Sequence, residues 1–246
     1  MKNLKLTSML LILLITQVAV AQSIVSVSDF DKAIISPHIE TTFVQGEENS
    51  VTIIDNKLSN DKVNIEVKGN TLRVYLDDAK ELTKHKRVIK NGSKMKVPIY
   101  QGKVLEVLVT YKHISHLSLR GEQKTVCESP INIEDFKLKI YGDSTVILNE
   151  VNLQNFDIDI FGEGELFVNK GNTGHQRITT FGEGIVNLEE VKNKTSKLKA
   201  YGEAEFRIQS SEHIRFSAYG EAQLFYTGSA EVDKGLSFGN SSVHKI

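Results

Sequence analysis

Residues 158–168 read Ile158-Asp159-Ile160-Phe161-Gly162-Glu163-Gly164-Glu165-Leu166-Phe167-Val168. Twenty positions later the chain repeats the phrase as Ile178-Thr179-Thr180-Phe181-Gly182-Glu183-Gly184-Ile185-Val186-Asn187-Leu188. Outward from this pair it returns as Tyr141-Gly142-Asp143, Tyr201-Gly202-Glu203 and Tyr219-Gly220-Glu221, with weaker forms at Arg120-Gly121-Glu122 and Phe238-Gly239-Asn240. The seven glycines are spaced by 21, 20, 20, 20, 18 and 19 residues. A fixed period of this kind is the signature of a repeat architecture.

Aligned on the glycine, each column describes one structural position. Four residues before it stand Leu117, Leu138, Ile158, Ile178, Leu198 and Phe216, and four after it Val146, Leu166, Val186, Phe206, Leu224 and Val243. Six after it stand Cys127, Leu148, Val168, Leu188, Ile208 and Tyr226. Two after it every residue is small: Ser144, Gly164, Gly184, Ala204, Ala222 and Ser241. Apolar or small residues at even offsets and polar or aromatic ones at odd offsets give the period of two that marks a strand with one buried face. Each repeat is therefore expected to be a strand, a tight glycine-small bend and a second strand.

An antiparallel meander and a coil stacking parallel on its neighbours could both use such a unit. In a meander with two strands per repeat, equivalent positions would lie about 10 Å apart and would not touch. In a parallel coil they lie above one another at about 4.8 Å, so a residue favourable once is favourable in every coil. Columns of like residues fit the coil, and the sequence predicts an all-β protein with a parallel β-helix of one coil per ~20-residue repeat. The polar stretches 169–176 and 189–196 are expected as loops bulging from the coils, and Gly171-Asn172-Thr173-Gly174-His175 as a turn. That stretch lacks the Lys-Ser/Thr and following helix of a phosphate loop.

Residues 22–116 form an irregular β portion in this reading, either first coils or a cap over the open end, with 117–246 as the regular repeats. Strands are expected at 41–44, 51–54, 63–67, 72–76, 94–99 and 104–109, separated by turn signals such as Lys68-Gly69-Asn70 and Asn91-Gly92-Ser93. The charged run 77–87 is either a loop or a short helix.

At its start the chain carries Lys2 and Lys5, an apolar stretch from Met9 to Val20, and Ala19 and Ala21 in an A-x-A arrangement. This pattern predicts a cleaved secretory leader over 1–21, too short to span a bilayer. Its removal leaves a single 22–246 domain of 225 residues with 28 basic and 31 acidic side chains, a net charge near −3 that points away from nucleic acid. Cys127, the only cysteine, allows no intrachain disulfide and stands far from the position of a lipid anchor. It falls in an inward column, where a buried, inert thiol is expected.

Taken together, Phe30-Asp31-Lys32-Ala33-Ile34, Val44-Gln45-Gly46, Gly69-Asn70-Thr71-Leu72-Arg73-Val74 and the recurring aromatic-Gly-Glu phrases resemble the auto-transporter adhesin family with a "head GIN" domain. The resemblance implies a right-handed parallel β-helix in the periplasm, on the surface or outside a Gram-negative cell. It brings no catalytic motif. No membrane barrel is recognisable after the last repeat, so self-translocation is not expected.

Two columns flank the glycine. One is aromatic (Tyr141, Phe161, Phe181, Tyr201, Tyr219, Phe238), the other acidic (Glu122, Asp143, Glu163, Glu183, Glu203, Glu221). Strict alternation would point both outward on one face. Tyr141, Phe161, Glu163, Phe181, Glu183, Tyr201, Glu203, Tyr219 and Glu221 are accordingly the candidate ligand-binding residues, with a polysaccharide or a surface protein as partner. Rings would offer flat faces to sugars, and carboxylates would accept hydroxyl hydrogen bonds. Against this stands a structural reading in which ring stacking holds the coil edge and the acids keep the bend solvated. Calcium would suit a row of carboxylates, but the Gly-Gly-x-Gly-x-Asp calcium signature does not occur, so no metal or cofactor is expected. Catalysis on glycosides needs one acid with a raised pKa and one without, and no member of the acidic column is singled out. The sequence therefore predicts a binding or scaffolding protein and not an enzyme. His113 and His116 stand three apart on a predicted strand, facing opposite sides, and are expected at the surface.

Overall fold

The computed structural model describes residues 23–90 and 93–246. The predicted leader and the Asn91-Gly92 turn lie outside the described residues.

From Ile131 onward the chain winds as a β-solenoid. The strand Val151–Gly162 lies parallel between Ile131–Tyr141 and Gly171–Leu188, and Val191–Gln209, His213–Thr227 and Glu231–Phe238 follow in the same sense. The register is the one the columns require: Ile158 pairs with Ile178, Ile178 with Leu198 and Leu198 with Phe216, while Gly162, Gly182, Gly202 and Gly220 stand one above another. There are about six turns. Even-offset side chains fill the interior, and Leu138, Ile158, Ile178, Leu198, Val146, Leu166, Val186, Phe206 and Leu224 are all fully buried. Cys127 joins them, its thiol pushed up to about 12 by burial, so it stays protonated and unreactive at neutral pH.

The expected bend between two strands is found at Gly121, Gly142, Gly162 and Gly239, where separate strands flank the corner, but at Gly182, Gly202 and Gly220 it is drawn differently. In Gly171–Leu188, Val191–Gln209 and His213–Thr227 one strand runs straight through the glycine. A positive φ turns the chain there, while pairing with both neighbouring coils keeps the ladder continuous. The polar stretches expected as loops, and Gly171–His175 expected as a turn, are corrected too. Only short turns remain near 169–170 and 189–190, and the rest is strand. Some of their polar side chains point inward and the rest face solvent. Thr173, Gln176, Asn193, Ser196 and Ser210 are buried and bond one another, Gln176 Nε2 donating to Thr173 Oγ1 (2.9 Å) and Asn193 Nδ2 to Ser196 Oγ (2.6 Å). Closing the network internally removes the cost that would otherwise expel such groups to the surface.

In the N-terminal part, coil order in space departs from chain order. Lys32–Ile35 pairs in parallel with His116–Arg120 on one side and Thr71–Leu76 on the other, and Ile39–Gln45 lies likewise between Thr125–Cys127 and Leu105–Tyr111. The first coil-forming segment in sequence, Lys32–Ile35 with Ile39–Gln45, thus makes the second coil in space. Beyond the outermost coil, pairing turns antiparallel: Val63–Lys68 folds back on Thr71–Leu76, and Ser50–Asn56 joins Leu105–Tyr111 to Ser23–Ser26. These hairpins occupy edges that would otherwise offer free backbone groups. The charged run 77–87 is a loop that enters a strand at His85, not a helix. His85–Lys90 and Ser93–Pro98 form a separate two-stranded sheet.

Candidate functional site

The glycine column builds a ridge along the solenoid. Gly142, Gly162, Gly182 and Gly202 have φ between +101° and +121°, a region closed to most side chains. A Cβ at any of them would lie 2.5–2.7 Å from the glycine carbonyl oxygen of the preceding coil. That oxygen is in use, since the amide of Glu163 donates to Gly142 O at 3.1 Å. Conformation and close approach both demand glycine, so the flanking columns are carried at fixed spacing.

On one flank the rings stack face to face. Tyr141–Phe161, Phe161–Phe181, Phe181–Tyr201 and Tyr201–Tyr219 have centroids 4.8–5.0 Å apart and planes within 7° of parallel. Phe238 extends the row at 5.8 Å, and the Arg120 guanidinium lies 5.4 Å over Tyr141 at the other end. Each interior ring therefore has both faces covered by its neighbours and presents only an edge. The flat apolar faces invoked for sugar stacking are closed between Tyr141 and Tyr219.

On the other flank Asp143, Glu163, Glu183, Glu203 and Glu221 line an open groove of about 760 Å³. Glu165 and Glu205, three positions after their glycines, extend the same acidic wall. Sequence reading left these two out, although odd offset already marked them as outward. None of the five column carboxylates in the groove takes part in an ion pair or side-chain hydrogen bond among the described residues. The rings are not part of this lining. Tyr201 and Tyr219 instead border a smaller groove of about 300 Å³ with Lys197, Lys199 and Arg215. The glycine corner thus places the two columns on adjacent walls, one acidic and one aromatic-basic, where unbroken alternation would have put them on one face.

Several charges elsewhere on the solenoid are paired. Arg177 grips Asp157 through two bonds of 2.9 and 2.7 Å and holds its carboxyl below the usual range. Arg207 bonds Glu205 and, at 3.2 Å, Glu189. The histidines do not converge. His113 is exposed, His175 bonds Thr195, and half-buried His116 has its pKa lowered by burial and then by Lys137, Lys139 and Lys32. Among the described residues no group of three or more His, Cys, Asp or Glu is placed to hold a metal ion.

An all-β solenoid of parallel coils carrying a ridge of repeated side chains places the chain among the stacked-coil β proteins. Within it, residues 29–230 match the family described as "Putative auto-transporter adhesin, head GIN domain", and the chain belongs to that family. No curated protein matches the sequence. Among solved structures the fold is similar to a "putative adhesin" from Bacteroides fragilis, with a TM-score of 0.77 at 15% identity over 92% of this chain and 96% of that one. A "putative adhesin" from Parabacteroides merdae gives 0.67 at 16% identity, covering 92% and 95%. A "Putative lipid binding protein" from Parabacteroides distasonis gives 0.63 at 17%, covering 92% and 96%. At these identities the likeness shows the fold. No helix among the described residues is long and apolar enough to cross a membrane.

Proposed function

We propose that this chain is an exported binding module of the cell envelope that holds an extended, hydroxyl-rich polymer such as a polysaccharide along the acidic groove. The observation that carries the reading is the row of carboxylates on Asp143, Glu163, Glu183, Glu203 and Glu221, set one coil apart and without a side-chain partner among the described residues. Neighbouring carboxylates about 4.8 Å apart repel by about 1 kcal/mol in water, so the row costs stability that a ligand's donors would return. Hydrogen bonds to a charged acceptor contribute about 1.5–3 kcal/mol each, and a repeating ligand meets the same acceptor in every coil. The leader pattern and the adhesin family support export to the envelope. The closed faces of the rings support a structural role for Tyr141, Phe161, Phe181, Tyr201 and Tyr219, with contacts limited to their edges.

The test is a glycan array followed by calorimetry on the exported protein and on a Glu163→Gln/Glu183→Gln/Glu203→Gln variant. A bound polysaccharide whose affinity falls at least tenfold in the variant is expected. Wild-type protein that binds no glycan, or a folded variant that binds equally well, overturns the reading.

A further inference from the structure

The hairpin of His85–Lys90 and Ser93–Pro98 serves neither the core nor the ridge. It forms its own two-stranded sheet, and none of its side chains belongs to the solenoid's hydrophobic core. An isolated hairpin of this kind is marginal in water. Its composition sharpens the question, because between Lys84 and Pro98 there are five lysines, one arginine and no acid.

Cross-strand pairing sorts the side chains by face. Arg87 opposes Lys96 and Ile89 opposes Lys94 on one face, while Val88 opposes Met95 and Lys86 opposes Val97 on the other. Arg87 and Lys96 are like charges set directly against each other, a destabilising pair that a neighbouring anion would relieve. Lys86, Arg87, Lys94 and Lys96 form no ion pair among the described residues, and Lys84 at the hairpin's base is already held by Asp78 at 2.7 Å. Among these cations large aliphatic side chains stand in water: Ile89 is 75% exposed, Met95 48%, and Leu82 in the preceding loop 83%. Cations alone would mark a solvated edge. Cations around exposed aliphatic side chains are the composition of a segment that rests in a membrane interface.

We propose that this hairpin is a peripheral docking element for an anionic phospholipid surface, entering end-on so that both faces of the ribbon meet lipid, with Lys86, Arg87, Lys94 and Lys96 meeting headgroup phosphates and Ile89 and Met95 entering the acyl boundary. The charge-complementary rival is the acidic groove of a second copy. That groove would satisfy the cations, but among its lining residues only Ile185 is a large aliphatic, so it leaves the hairpin's aliphatic side chains unmatched. A bilayer accommodates both. Each Lys or Arg near an anionic leaflet raises partitioning about fivefold, and each aliphatic side chain moved fully from water gains at least about tenfold more.

The protein contains no tryptophan, so Met95→Trp places a single indole reporter on the hairpin. The exported protein is mixed with vesicles of phosphatidylcholine alone and with vesicles of phosphatidylcholine and phosphatidylglycerol in equal parts. Expected are co-sedimentation and a blue shift of Trp emission with the mixed vesicles only, both lost in high salt. A Lys86→Gln/Arg87→Gln/Lys94→Gln/Lys96→Gln variant should bind at least about 100-fold more weakly, and Glu163→Gln/Glu183→Gln/Glu203→Gln should bind as the wild type does. Equal binding to both vesicles, no emission shift, or full binding by the four-cation variant overturns the proposal. Salt-sensitive self-association without vesicle binding overturns it too, and assigns the hairpin to a second copy. The Met95→Trp readout stands alone if the four-cation variant fails to fold.

Discussion

At Gly182 a single hydrogen on Cα keeps two coils in contact. Its φ is +112°, and a Cβ there would come within 2.6 Å of Gly162 O, an atom of backbone that cannot swing aside. Gly184, two residues on, differs physically. A Cβ there meets the Thr180 side chain, and the equivalent position in the next two coils is already alanine, Ala204 and Ala222. Gly182→Ala should therefore cost about 3 kcal/mol or more through strain and displaced backbone, whereas Gly184→Ala should cost about 1 kcal/mol. Urea denaturation of both variants checks the contrast, and equal losses would refute the account of the ridge. The need for glycine was legible as a repeated letter. The reason was not, because the carbonyl that excludes a Cβ belongs to a residue 20 positions away.

Among the elements, the ring row is held chiefly by its own members. Phe181 lies between Phe161 and Tyr201 at 5.0 and 4.8 Å and is 40% exposed, so most of its contact is with those two rings. Stacked aromatic pairs contribute about 0.5–1.5 kcal/mol each beyond burial. Phe181→Ser should therefore lower stability by about 1–3 kcal/mol, while Phe181→Tyr, matching its neighbours, should stay within about 0.5 kcal/mol. Thermal unfolding reads the difference, and loss of glycan binding by a fully stable Phe181→Ser variant would return the rings to the binding surface. The stretches 169–176 and 189–196 teach a second lesson at this scale. Their polarity suggested loops, yet Thr173, Gln176, Asn193 and Ser196 pair inside the coil. Polar letters in one repeat acquire partners only when the next repeat is stacked upon it.

For the molecule as a whole, like charges on one wall oppose the folded state. Glu183 is stacked between Glu163 and Glu203 in the groove. Removing its charge relieves two repulsions of about 1 kcal/mol at low ionic strength, and added salt screens the same interactions. Glu183→Gln should thus be more stable than the wild type by about 1–2 kcal/mol in dilute buffer, with the gain shrinking towards zero near 1 M salt. Thermal unfolding at both salt concentrations decides it. A destabilised variant would mean that the carboxylate has a partner within the fold.

By itself the sequence determined the all-β class, the parallel coil, its register and its buried columns. In a stacked repeat each position meets its own kind in the next coil, so one-dimensional periodicity is already three-dimensional contact. It also determined which columns flank the glycine. Tertiary structure alone decided that the earliest coil inserts between two later ones and that antiparallel strands close the far edge, since such pairings join segments sharing no repeated phrase. It alone decided, too, that rings and carboxylates part onto adjacent walls. Alternation holds along an extended strand, but a glycine at positive φ turns the chain between the two columns, and that turn is a property of backbone angles that no spacing of letters records.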